Sequence, residues 1–190
     1  SQSSCTECQG GKAQPSENST SCDECVAGKY QQATGQTSCS DCDGGTYSGE
    51  GASSCSACAA GNYSEGGSSS CLQCLEGTYS GSGAEVCSAC EAGKYGDEKS
   101  QSSCTECQGG KAQPSENATS CDNCAAGTYQ VALGQEECLD CGGGTYSGPG
   151  YTSCSSCESG KYSSAAASSC LSCSEKSMFV SVSPSAVPGK

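Results

Sequence analysis

The sequence predicts a small disulfide-rich repeat array, built of short irregular β-hairpins with little other regular secondary structure. Two observations carry this. All 22 cysteines fall into eleven C-x-x-C pairs that recur every 16 or 17 residues. The apolar complement is too small for an ordinary core: Val, Leu, Ile and Phe together number 12, with no Ile or Trp. A strict short period marks a repeat architecture, in which each unit leans on its neighbours. A chain so poor in apolar residues, with a net charge of −13, would read as disordered were it not for its cysteines.

The unit, aligned on its cysteines, reads [ST]-S-C-x-x-C-x-x-G-x-Y-S, followed by a Gly- and Ser-rich stretch and the next S-C. Gly stands three residues after the second Cys in ten of eleven units, from Gly11, Gly28 and Gly45 through to Gly160. This regularity predicts a backbone position of positive φ, or one where another strand passes too close for a Cβ. Tyr follows two residues later in eight units: Tyr30, Tyr47, Tyr63, Tyr79, Tyr95, Tyr129, Tyr146 and Tyr162. With few other large apolar residues, it is expected to be the main packing residue, its ring over a disulfide and its hydroxyl toward water or backbone. Turn sequences such as Ser48-Gly49-Glu50-Gly51 come next. An extended G-x-Y-S, a Gly-rich turn and a returning S-x-C then form a hairpin, with the difference in unit length absorbed in the turn.

A longer period lies above the short one. Residues 1–74 and 100–173 align without gaps at an offset of 99, and Ser1 to Pro15 recur unchanged as Ser100 to Pro114. The expected organisation is a six-repeat superunit over 1–99, a partial second copy over 100–173, and a linker or the start of a following β module over 174–190. In that last segment Lys176 and Met178 replace the expected Gly and Tyr, and Met178 to Pro184 alternate apolar and polar as a strand would. The chain begins inside the repeat pattern, which reads as a mature piece or a fragment of something longer.

Cysteine at this density indicates an oxidising compartment, so the chain is placed outside the cell, secreted or on the cell surface. Three sequons agree with this, at Asn18, Asn62 and Asn117. Asn18 and Asn117 occupy equivalent places in the superperiod and are the preferred N-glycan sites; Asn62 ranks third because its counterpart is Lys161. The 39 serines add O-linked sugar as a further expectation. Eight scattered basic residues argue against nucleic acid, and no apolar run reaches the ~20 residues of a membrane span. The single carboxylates, Asp23, Asp41 and Glu76 among them, read as solvated charges, with no calcium-loop motif. No cofactor, metal or catalytic site is expected.

Regularity leaves three disulfide schemes. In the first, the second Cys of each pair joins the first Cys of the next: Cys8–Cys22, Cys25–Cys39, Cys42–Cys55, Cys58–Cys71, Cys74–Cys87, Cys90–Cys104, Cys107–Cys121, Cys124–Cys138, Cys141–Cys154 and Cys157–Cys170. Cys5 and Cys173 then stand outside the ladder and are available to neighbouring segments. In the second, adjacent pairs interlock, which the odd number of pairs disfavours. The third closes each C-x-x-C on itself in a strained loop. The first is preferred, since closing a loop of ~15 residues restricts the unfolded chain by about 3 kcal/mol.

The C-x-x-C-x-x-G-x-Y-S…S-C unit resembles the cysteine-rich repeat of ephrin-receptor-like extracellular proteins. It is also similar to the first half-module of tumour necrosis factor receptor cysteine-rich domains, through Cys25, Gly28, Tyr30 and Cys39 in one unit and Cys42, Gly45, Tyr47 and Cys55 in the next. The resemblance covers residues 1–173. It implies an elongated, loop-rich, disulfide-laddered rod and supports the first pairing scheme. The interleaved receptor half-module is absent, and Ala13 and Ala112 replace Tyr in the units opened by Cys5 and Cys104.

The function expected is that of an extracellular structural protein, a glycosylated rod forming a surface stalk, coat or self-assembling fibre. Its partners would be copies of itself, head to tail or side by side, and covalent glycans. One alternative is a ligand-binding receptor-type ectodomain, for which Tyr151, the one off-pattern tyrosine, is the sole pointer. The other is a zinc-binding surface protein, since C-x-x-C-x12–13-C-x-x-C approaches zinc-module spacing. An enzyme is not expected: C-x-x-C redox chemistry requires a low-pKa cysteine at a helix start.

Overall fold

A computed structural model describes residues 7–16 and 19–173. Cys5, Asn18 and the strand expected within 174–190 lie outside the described residues. Within them the chain forms ten two-stranded antiparallel hairpins, each strand two residues long. They run from β1 (Lys12–Ala13) paired with β2 (Asp23–Glu24), and β3 (Lys29–Tyr30) paired with β4 (Ser40–Asp41), to β19 (Lys161–Tyr162) paired with β20 (Leu171–Ser172).

Each hairpin begins at the glycine. In the second repeat the amide of Lys29 donates to the carbonyl of Val26 at 3.0 Å, with Gly28 at φ +88°. A hydrogen-bonded four-residue turn with positive φ at its third residue is a type II turn, the geometry that favours Gly there. The turn is closed a second time by side chains. Thr46, Thr78, Thr128 and Thr145 each donate Oγ1 to the carbonyl three residues back. Lys94 and Lys161 instead pair with Glu91 and Glu158, both at 3.1 Å.

The return strand lies two residues further along than the predicted S-x-C. It is the pair of residues inside the next C-x-x-C, as in Lys29 opposite Asp41 and Tyr30 opposite Ser40. The reason is the bond from the Cys42 amide to the Gly28 carbonyl at 2.9 Å. It sets the residues before Cys42 antiparallel to those after Gly28. The first cysteine of each pair thus ends a loop, the middle two residues complete a hairpin, and the second cysteine opens the next loop.

The buried interior is sulfur and hydroxyl rather than aromatic. The second cysteines Cys8, Cys25, Cys42, Cys58, Cys74, Cys90, Cys107, Cys124 and Cys141 are buried, as are Ala13 and Ala112 at the tyrosine position. The tyrosines themselves are only half-buried. The fully buried side chains are the second cysteines from Cys25 to Cys141, with Ser64 and Ser147. Contacts divide the described chain into two compact units. One holds residues up to Cys107 with Gln113–Cys121, and the other holds Gln108–Ala112 with the residues from Asp122 on.

Candidate functional surface

Ten disulfides join the second cysteine of each pair to the first of the next, from Cys8–Cys22 to Cys157–Cys170, at Cα separations of 5.6 to 5.8 Å. Cys173, exposed, is the free cysteine among the described residues. The zinc alternative needs thiolate ligands, and these twenty cysteines are committed to one another as disulfides. No group of three or more His, Cys, Asp or Glu converges among the described residues. No helix there is long and apolar enough to cross a membrane.

Neighbouring repeats are joined by the residue six positions after each second cysteine. Its carbonyl accepts from the glycine amide of the preceding repeat, as in Gly28 to Ser48 at 2.9 Å and Gly61 to Ser80 at 2.8 Å in the first unit, and Gly127 to Ser147 at 2.9 Å in the second. Its side chain is buried at Ser48, Ser64, Ser80, Gln113, Gln130 and Ser147. Where it is Ser, the hydroxyl donates to a strand carbonyl of the preceding repeat, for example Ser64 to Thr46 at 2.9 Å and Ser147 to Thr128 at 2.8 Å. Where it is Gln, the amide turns inward on its own loop. Gln130 donates Nε2 to the Glu137 carbonyl at 2.7 Å and accepts the Ala132 amide on Oε1 at 3.0 Å, and Gln113 makes the matching pair of bonds with Ser120 and Ser115.

The choice follows loop length. All five loops with a cysteine separation of 13 carry Ser at this position: Ser48, Ser64, Ser80, Ser147 and Ser163. Gln14, Gln31, Gln113 and Gln130 sit in loops of separation 14. The longer amide spans the additional residue. The remaining loop of 14 has Gly96, and the Gln101 carboxamide moves into the space a side chain there would fill, its Oε1 lying 2.5 Å from where a Gly96 Cβ would stand. This correlation was present in the spacing and went unread. A second recurrent position was missed as well. The residue four before each closing cysteine from Cys39 to Cys170 has positive φ, whether Gly51, Gly67, Gly83, Ser100, Asn117 or Ala166.

The sequons differ in their surroundings. Asn117 occupies this left-handed position at φ 59° with its side chain exposed, while its amide donates to the Cys90 carbonyl at 2.8 Å; Thr119 is exposed too. Asn62 is half-buried in a strand (Asn62–Tyr63), and the hydroxyl residue of its sequon is the buried, bonded Ser64. Lysines are largely engaged within hairpins: Lys12 pairs with Glu24 at 3.2 Å and Lys29 with Asp41 at 2.7 Å. The Glu91 carboxylate, hydrogen-bonded to Lys94, holds that ammonium above the usual lysine range. Large apolar side chains stand exposed at Val26, Leu72, Leu75 and Val86 in the first unit and at Val131, Leu133, Leu139, Tyr151 and Leu171 in the second.

Compared with known proteins, the chain matches the family described as tyrosine-protein kinase ephrin type A/B receptor-like twice, over residues 77–124 and 110–146. No curated protein matches the chain significantly. Residues 77–146 are thus similar to ephrin-receptor-like cysteine-rich repeats, a disulfide-rich module of extracellular type.

Proposed function

We propose that this array of ephrin-receptor-like repeats is a structural element of the extracellular surface, secreted or cell-attached, that associates with copies of itself to form a stalk, coat or fibre. The observation that supports it is the identity of the junctions. The same bridge, turn and glycine-to-carbonyl bond recur from repeat to repeat, so the chain is stabilised by its period and not by one specialised centre. The 99-residue superperiod then gives an assembly a regular spacing. N-glycans belong at Asn117 and its sequence equivalent Asn18, with Asn62 last, because a sequon whose serine is buried and bonded is poorly presented once folded. No catalytic role is proposed.

Light scattering across a wide range of concentrations, with electron microscopy of the same samples, tests the assembly. Oligomers that grow with concentration and show a regular repeat are the expected result. Monodisperse monomers throughout would overturn it. A receptor-type role is the second reading, favoured by one specific feature, the several exposed large apolar residues of the Val131–Leu139 loop.

A further inference from the structure

The two copies of the superunit differ most pointedly in one hairpin. In the first copy, residues 32 to 40 read Gln-Ala-Thr-Gly-Gln-Thr-Ser-Cys-Ser; in the second, residues 131 to 139 read Val-Ala-Leu-Gly-Gln-Glu-Glu-Cys-Leu. Three polar residues have become large and apolar, and two neutral ones acidic. A fourth change, Ala52 to Tyr151, lies in the next repeat. The fold does not call for these changes. The first-copy hairpin forms in the same register without them, Tyr30 opposite Ser40 where the second has Tyr129 opposite Leu139. The glutamine clamp is also the same, Gln31 to the Ser38 carbonyl and Gln130 to the Glu137 carbonyl, both at 2.7 Å.

Nor are the new side chains buried. Val131 is 69% exposed, Leu133 58%, Leu139 51% and Tyr151 46%. Val131, Leu133 and Leu139 share one loop and its return strand, and the Gln130 amide donates to the Tyr151 carbonyl at 3.2 Å, which brings the backbone of Tyr151 up to the start of that loop. Large apolar groups held in water along one loop where packing has no use for them mark an interaction surface. The exposed acids Glu136 and Glu137 lie between Leu133 and Leu139 in the chain.

We propose that the Val131–Leu139 loop, with Tyr151 beside it, docks a protein segment that is both apolar and basic. Charge selects this occupant over a second copy of the chain. A copy carries a net charge of −13 and no Arg, and of the six lysines among the described residues Lys12, Lys29, Lys94 and Lys161 are already paired with carboxylates, which leaves Lys99 and Lys111. Two such patches placed face to face would oppose their own glutamates. A Lys- or Arg-bearing amphipathic segment places cations against Glu136 and Glu137 and covers the apolar side chains between them. The inference does not depend on the self-association proposed above.

The test is fluorescence anisotropy with the full, disulfide-intact chain and a labelled synthetic amphipathic peptide of Leu and Lys. Two control peptides replace every Lys by Glu, or every Leu by Ser. Saturable binding of the Leu/Lys peptide alone is expected. Restoring the first-copy residues, V131Q/L133T/E136T/E137S/L139S, is expected to weaken it by about tenfold or more. Those residues are compatible with the hairpin, since the first copy carries them, and mass spectrometry of the unreduced variant confirms its ten bridges. The variant L75S/V86S, altering another exposed apolar group, is expected to bind unchanged. Equal binding of either control peptide, an unaffected restored variant, or loss on L75S/V86S instead would overturn the proposal.

Discussion

Ser147 and its equivalents join one repeat to the next through a single buried hydroxyl. Ser147→Ala removes the hydrogen bond that this buried hydroxyl donates to the Thr128 carbonyl, a loss of about 0.5–1.5 kcal/mol. Guanidinium unfolding of the oxidised protein should show this as a lower midpoint at unchanged slope. Exposed Ser82→Ala, whose hydroxyl reaches the Cys58 carbonyl from the loop surface, should cost less. At Lys94 the raised pKa means the Glu91 pair contributes fully below the ordinary lysine pKa and is lost as pH rises through the higher folded value. The ammonium is fully exposed, so the effect stays within its own turn. Peptide mapping after enzymatic deglycosylation of protein secreted from a eukaryotic host should find Asn117 modified and Asn62 largely unmodified.

At the scale of the hairpin, the glycine after each C-x-x meets two demands that the sequence offered as alternatives. Gly61 has φ +82°, and a Cβ on it would lie 1.8 Å from the Ser100 carbonyl oxygen, two repeats along. Gly61→Ala therefore combines the left-handed cost of roughly 1–2 kcal/mol with a backbone clash. Gly160 has the same φ, near +80°, but no atom of the described residues within 4 Å of its would-be Cβ, so Gly160→Ala should show the conformational cost alone. Comparing the two variants by thermal unfolding separates close approach from backbone strain; equal losses would refute the separation. Ser48→Gln provides a second test. Its loop is one residue shorter than those that carry Gln, so the amide cannot span it as Gln130 spans its own, and the variant should be destabilised despite the chemical similarity.

Across the whole molecule, covalent closure stands in for an apolar core, and this sets how the protein responds to reductant, pH and salt. Alkylation under denaturing conditions without reductant should leave the twenty bridged cysteines unlabelled; labelling of twenty or more would refute the ladder. Reduction should unfold the chain cooperatively along its length, since each loop's closure of about 3 kcal/mol has little buried apolar area behind it. With a net charge of −13, association between copies should strengthen as acid protonates carboxylates, and as salt screens them.

The period, the glycine turn and the preferred cysteine partners were legible in the sequence, because each depends on residues at short fixed spacings. Gly28 must accept a type II turn wherever the chain goes next, and cysteines recurring at 16 or 17 residues close loops of two sizes, with separations of 13 and 14. The tertiary structure alone decided what that spacing does not encode. It placed the return strand inside C-x-x-C, because the Cys42 amide binds the Gly28 carbonyl. It buried the second cysteines and Ser64 and left Tyr63 half-buried. It brought the Ser100 carbonyl against Gly61, a contact across 39 residues that exists only once three successive repeats have closed.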